Sequence, residues 1–283
     1  MENEYFLIRE AVMKYISCFK GNINKYIIHI VFGVFFIIAM YISSFKYLMF
    51  HTICELLIII VSFSIMIITL NMSKSPKNDY FIFLGITYGF VACIELLHTL
   101  SYRGMNIIDI GSTANIPTQL WIAVRYLESI SILVSFSYIK KKINILKVFV
   151  SYAIIVVLII LSIFKFHIFP NCFIEGYGLT PFKMISEYII IVILGVCLFI
   201  SYDEYNINFL SDKSYSYFII FSIGSELAFT IYRDVYGIIN GTGHVLKFIS
   251  FYILYRAIIK ETLGKNIHKI TDNGKILKET EGI

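Results

Sequence analysis

Charge is what this sequence has least of. Asp, Glu, Lys and Arg make up 15% of its 283 residues, where a soluble globular chain carries about 25%. Hydrophobic residues fill the gap, at 58% with a mean hydropathy of +0.78, and a water-soluble domain is excluded. Alternation of apolar and polar residues is also missing, which excludes the lipid-facing strands of a β-barrel. There is no CxxC pair and no metal-finger spacing, because Cys18, Cys54, Cys93, Cys172 and Cys197 stand singly. All but Cys172 fall in apolar runs or near the amino terminus, so no disulfide framework is expected. A secretory signal peptide is excluded too: acidic residues lead the chain and no small-residue cleavage site follows. No internal repeat is visible. The net charge of +5 does not point to nucleic acid, since the basic residues collect beside apolar runs, where topology and anionic lipid account for them.

What is present is a succession of apolar runs, each of the ~20 residues that cross a hydrocarbon core as a helix. The fold class expected is all-α: a polytopic integral membrane protein with about eight transmembrane helices, at 25–44, 47–71, 80–101, 117–139, 147–166, 181–201, 215–236 and 242–260. Residues 1–23 place Tyr5, Ile8, Val12, Tyr15, Ile16 and Phe19 at helical spacing among charges, as in a helix lying on the membrane surface. Residues 24–260 form the membrane domain. The segment 261–283 is a short tail in which Leu263, Ile267 and Ile270 either begin a heptad seam or fray, with Asp272-Asn273-Gly274 weakening the register. An inward amino terminus puts 17 of the 24 Lys and Arg residues on the cytoplasmic side, so the positive-inside rule favours both termini in the cytoplasm. Short lysine-rich loops such as Lys140–Lys147 then lie inside, and the longer loops Ser101–Ile116 and His167–Pro181 lie outside.

The few charges within the runs are therefore conspicuous. Glu95 and His98 close the third span, three residues apart and on one helix face. His51 and Glu55 open the second; Trp121, Arg125 and Glu128 lie in the fourth, and Lys183 and Glu187 open the sixth. Glu226 is in the seventh, while His244 and Lys247 open the eighth. Nearly all lie in the outward half of their helices, His29 in the first span being the exception. Facing lipid would cost several kcal/mol per charge, so these side chains should converge inside the bundle, around a polar cavity open to the outside.

The motifs, taken together and in order, resemble those of bacterial membrane-associated sensor (MASE) domains, specifically the third type. The matching stretches are Phe50-His51-Thr52 with Glu55, Leu97-His98-Thr99-Leu100-Ser101-Tyr102-Arg103-Gly104-Met105, and Gln119 through Glu128. They continue through Gly178-Leu179-Thr180-Pro181-Phe182-Lys183, Ser186-Glu187-Tyr188 and Gly243-His244-Val245-Leu246-Lys247. The resemblance implies a sensory module in the bacterial plasma membrane, joined to histidine kinases of two-component systems or to diguanylate cyclases of cyclic-di-GMP signalling, often through a PAS domain. Since no kinase histidine box, GGDEF stretch or nucleotide-binding motif is present, the chain is expected to work with a separate partner or to be part of a longer sensor. It is not expected to be an enzyme.

Three histidines and five carboxylates share one depth with three cations (Arg125, Lys183 and Lys247), a negative excess that, unless some carboxylates are protonated, a divalent cation would balance. Three readings stay open. One is a transition-metal or haem site built from His51, His98 and His244 with Glu95; another is a small-molecule or proton-sensing cavity; the third is a network that only fixes helix packing. Homodimerisation through the tail is expected. A small transporter and an intramembrane metal-dependent enzyme are the alternative functions, although the polar residues stop halfway across the membrane and no nucleophile arrangement stands out.

Overall fold

The computed structural model describes residues 34, 37–39, 41–72, 76–105, 107–108, 113–206, 213–231 and 236–280, with the backbone alone for 76–78, 204–206 and 262–280. The helices are α1 (Tyr47–Leu70), α2 (Pro76–Leu100), α3 (Asn115–Ser135), α4 (Ile145–Ile160), α5 (Pro181–Asn206), α6 (Ser214–Ile231) and α7 (Ile238–Thr280). A 3-10 turn, Phe136–Ile139, extends α3, and a π turn, Leu161–Lys165, extends α4. Among the described residues the fold is all-α apart from one antiparallel hairpin, β1 (Phe173–Ile174) with β2 (Gly178–Leu179).

Six helices among the described residues are long and apolar enough to cross a bilayer: Tyr47–Leu70, Asp79–Leu100, Asn115–Ile139, Ile145–Lys165, Pro181–Asp203 and Ser214–Ile231. This is a multi-pass membrane protein. The span expected at 25–44 lies mostly outside the described residues, as do the segment 1–23, His29 and Cys18; residues 41–45 are helical and precede a break at Lys46. The span expected at 242–260 is the first part of α7, where His244, Lys247 and Arg256 dilute the apolar stretch. The helix does not end there. Its backbone runs on to Thr280, through the Asp272-Asn273-Gly274 stretch read as a weak point.

Packing arranges α1, α2, α3, α5, α6 and α7 as a closed ring, each touching the next and α7 returning to α1. The ring solves the charge problem, because every helix can turn its polar face inward and its apolar face to lipid. Along α5, for example, Ile185, Ile189, Val192, Val196 and Phe199 are exposed while Lys183 and Glu187 are buried. The α4 helix stands outside the ring, resting on α2 through Val148, Tyr152 and Val156. Its most apolar stretch is 17% buried, against 78% for α2. Within the ring, the half away from the charges is filled by apolar side chains including Ile58, Ile65, Ile86, Phe218 and Phe251.

The closest approach is between α1 and α2, where Gly85 and Gly89 are four residues apart on the face of α2 turned to α1. A Cβ on Gly85 would lie 1.6 Å from Thr69 Oγ1, and one on Gly89 would lie 2.2 Å from Met66 Sδ. Small residues at this spacing let two membrane helices pack backbone to backbone, which brings the charged faces of α1 and α2 together. At the same end of the bundle as those charges, the α2–α3 connection and the α4–α5 hairpin are tied to each other. Arg103 Nη1 pairs with Glu175 Oε2 at 3.3 Å, and Glu175 Oε1 accepts the Ala114 N–H at 3.0 Å. Asn115 Oδ1 accepts the N–H groups of Cys172 and Phe173 at 2.8 and 3.1 Å.

Candidate functional site

All twelve side chains singled out by charge or motif are at most 4% exposed: His51, Glu55, Glu95, His98, Trp121, Arg125, Glu128, Lys183, Glu187, Glu226, His244 and Lys247. Six helices supply them, and the ring brings them into two adjoining groups.

In the first group Lys247 is the hub. Its Nζ donates to Glu95 Oε1 at 2.6 Å, lies 3.6 Å from Glu55 Oε2, and sits 4.0 Å from the centre of the Trp121 ring. His244, one turn before it on α7, contacts Glu55 Oε1 through Nδ1 at 2.7 Å. The His51 ring stacks on Tyr102 with centroids 3.7 Å apart and meets His244 edge-on at 4.6 Å. In the second group Arg125 donates to both Glu128 and Glu226, and Tyr88 donates to Glu128 Oε1 at 2.8 Å. Lys183 pairs with Glu187 Oε1 at 2.7 Å and also donates to the Phe229 carbonyl. Trp121 joins the groups, with Arg125 on its ring at 5.8 Å and Lys247 at 4.0 Å.

Most buried polar groups in a folded protein find partners, so the ones here that do not are informative. Both ring nitrogens of His51, His98 Nε2 and Glu55 Oε2 are among those buried with no hydrogen-bond partner in the protein, as are Trp121 Nε1, Glu95 Oε2 and Glu226 Oε2. His51, Glu55 and His98 bring ligand atoms to within 4.8 Å of one another. His98 is already oriented: its Nδ1 lies 2.8 Å from the Pro117 carbonyl oxygen, which can only accept. The proton therefore sits on Nδ1 and the lone pair on Nε2, the arrangement of a metal-binding histidine whose other nitrogen donates to a backbone carbonyl. This His/His/Glu cluster can coordinate a metal ion.

The carboxylate that joins the histidines is Glu55, where the spacing within α2 favoured Glu95. Glu95 instead faces Lys247, while His244 is oriented on Glu55 through Nδ1, which leaves its Nε2 uncommitted by that contact. The polar space is also narrower than an open cavity, because buried charges are costly unless paired and these side chains meet directly. What remains, between His98, Trp121, His244 and the tied loops, is a cavity of about 30 Å³. That is room for about one water, whereas organic ligands of drug size need ~300 Å³ or more. Five buried carboxylates still face three buried cations, an excess that a divalent cation or protonation of some of the carboxylates would balance.

Sequence reasoning missed Tyr88 and named Tyr102 only within the Leu97–Met105 stretch, not as a site residue, although the spacing held a signal for each. Tyr88 is two turns before Glu95 on the same face of α2, and Tyr102 is one turn past His98. Cys172, the expected loop thiol, is buried, and burial pushes its thiol up to about 12; Cys54, Cys93, Cys172 and Cys197 are all free thiols.

Residues 42–265 match the family described as MASE3, membrane-associated sensor domain. The match covers most of the chain and takes in every residue of both groups. The chain belongs to this family of membrane-associated sensor domains and is a multi-pass protein of the bacterial inner membrane. Domains of this class precede histidine-kinase and GGDEF output modules in bacteria. No curated protein and no solved structure matches the chain.

Proposed function

We propose that this chain is the input module of a bacterial signalling system, in which His51, Glu55 and His98 take up a divalent transition-metal ion and α7 carries the change to a cytoplasmic output. The observation behind this reading is that His51, Glu55 and His98 bring ligand atoms to within 4.8 Å of one another, with both His51 ring nitrogens and His98 Nε2 buried and without a hydrogen-bond partner. Three protein ligands leave a coordination position open, as in sites that exchange a water or a substrate. A sensor needs that exchange, whereas a structural zinc site closes its shell.

Glu55 supplies the coupling. Its two oxygens serve His244 and Lys247, both on α7. A cation that takes this carboxylate competes with α7 for it and releases the helix from α1. From His244 to Lys260 is sixteen residues, or about 24 Å of continuous helix at 1.5 Å per residue. The topology we assign has eight spans with both termini cytoplasmic, from the lysine distribution. The segment 1–23 then lies on the inner surface, 24–260 is the sensor, and 261–283 leads to a histidine kinase, PAS or GGDEF-type partner, with pairing of the tails in a homodimer. A transporter is disfavoured because apolar side chains fill the other half of the ring.

The test is a distance measured between spin labels at Ile67→Cys on α1 and Arg256→Cys on α7, in a background without native thiols, with chelator and with zinc. A shifted distance distribution on adding zinc supports the coupling. An unchanged distribution in protein that has demonstrably bound zinc overturns it.

A further inference from the structure

We propose that the cleft between α3 and α4 binds one anionic phospholipid, with an acyl chain along the cleft and the headgroup on Lys147. This site is separate from the buried histidines and does not depend on what they bind.

The cleft exists because α4 stands outside the ring. The helix rests on α2 through Val148, Tyr152 and Val156, and it meets α3 through its π turn at the far end. Beside the one further contact, between Ser131 of α3 and Tyr152 of α4, the two helices leave a volume of about 590 Å³, within the ~300–1,000 Å³ range of ligand pockets. Ala123, Leu127, Ile155 and Ile159 form part of its wall, Phe169 closes one end, and Lys147 lies at the other. The interior suits hydrocarbon. Among the hydroxyls it contains, Tyr152 accepts from Thr87 at 3.0 Å and also meets Ser131, and Ser151 donates to the Lys147 carbonyl at 2.8 Å. These three hydroxyls are spent on the protein, and the rest of the wall is apolar apart from the half-buried Tyr126 and Tyr138 and the lysine at the end.

Length and charge select the occupant. Lys147 to Ile159 spans twelve residues, about 18 Å of helix, close to the ~15 Å depth of one leaflet of a bilayer core. At the Lys147 end the side chain is exposed and makes no ion pair among the described residues, and Lys140, Lys141 and Lys142 are nearby in the α3–α4 loop. Asp79, in the first turn of α2, accepts the Ile143 N–H at 3.3 Å. A single-leaflet groove with Lys147 at its end and three more exposed lysines in the adjoining loop fits an amphiphile with an anionic head, and lysine near the membrane surface favours anionic lipid. The leaflet is the one the α3–α4 loop faces.

The experiment is native mass spectrometry of the full chain, released from nanodiscs of equal phosphatidylglycerol and phosphatidylcholine. Wild type should retain one phosphatidylglycerol in preference to phosphatidylcholine. Lys147→Gln should lower that retention about fivefold, the effect expected of one lysine at the headgroup. Ile155→Trp, which fills the cleft from a half-exposed position, should lower retention of both lipids. Lys165→Gln, at the opposite end of α4, should match wild type. Equal retention of the two lipids by wild type, or full retention by both Lys147→Gln and Ile155→Trp, overturns the proposal. So does a dimer crosslinked through Ile155→Cys that excludes lipid, which would make a second copy the occupant.

Discussion

Replacing Lys247 by Met removes the cation on which the first charge group turns. The side chain is wholly buried, donates to Glu95 at 2.6 Å, lies 3.6 Å from Glu55 and sits 4.0 Å from the Trp121 ring. Met keeps the volume and loses the charge, leaving five buried carboxylates against two cations. Stranding one partner of a buried ion pair costs about 3–5 kcal/mol. For a domain of this size that corresponds to roughly 10 °C in Tm, at about 2–4 °C per kcal/mol. Thermal unfolding of detergent-purified protein, followed by size-exclusion fluorescence, measures it. Adding Glu95→Gln should restore at least half of the loss, because the neutral amide no longer needs the ammonium. The same variant should also hold metal more tightly, since Lys247 no longer attracts Glu55; at ~4 Å and an effective dielectric constant of 20 that attraction is about 4 kcal/mol. A Lys247→Met protein with the Tm of wild type, or a double variant no more stable than the single, refutes this account of the network.

Three further outcomes are expected. A phosphatase fusion that is active only outside the cytoplasm should work in Ser101–Ile116 and in His167–Pro181 and fail in Lys140–Lys147; activity in the lysine loop would invert the topology. Gly85→Leu should destabilise the protein by more than the ~1–3 kcal/mol typical of overpacking, because even a Cβ there meets Thr69 at 1.6 Å, whereas Gly195→Leu should be tolerated, as a Cβ at Gly195 meets nothing within 4 Å. A Tm equal to wild type for Gly85→Leu would contradict the close α1–α2 contact. Cys172 should resist alkylation in folded protein at neutral pH and react after unfolding, since burial holds its thiol near 12; rapid labelling of the native state would show the hairpin does not cover it.

Much of the fold is legible in the sequence, for a physical reason. A bilayer demands ~20 apolar residues per helix, and the runs read as 47–71 and 181–201 appear as Tyr47–Leu70 and Pro181–Asn206. The candidate residues were legible because a charge within such a run is costly unless it turns inward. Partner choice was not. Glu55 and Glu95 are both carboxylates one turn from a histidine, and helix rotation together with the approach of α7 decides that Glu55 faces the histidines and Glu95 faces Lys247. Tyr88 and Tyr102 were hidden among 21 tyrosines, most of which could equally be interfacial by sequence. The exclusion of α4 from the ring did leave a trace: between Lys147 and Lys165 it has no charged residue, so it has no polar face to turn inward.

The central claim, that His51, Glu55 and His98 hold a metal ion, is tested most directly by metal analysis of the purified protein. Wild type, stripped with chelator and then dialysed against zinc, copper, cobalt or ferrous iron, should retain about one equivalent of at least one of them. His98→Ala and His51→Ala should retain little, with insertion intact because loss of an imidazole does not hinder a membrane helix. Glu55→Gln should weaken binding, and Glu95→Gln should leave the stoichiometry unchanged, since Glu95 belongs to Lys247. Wild-type protein that retains none of these metals above trace, or His98→Ala protein that retains them as wild type does, contradicts the claim.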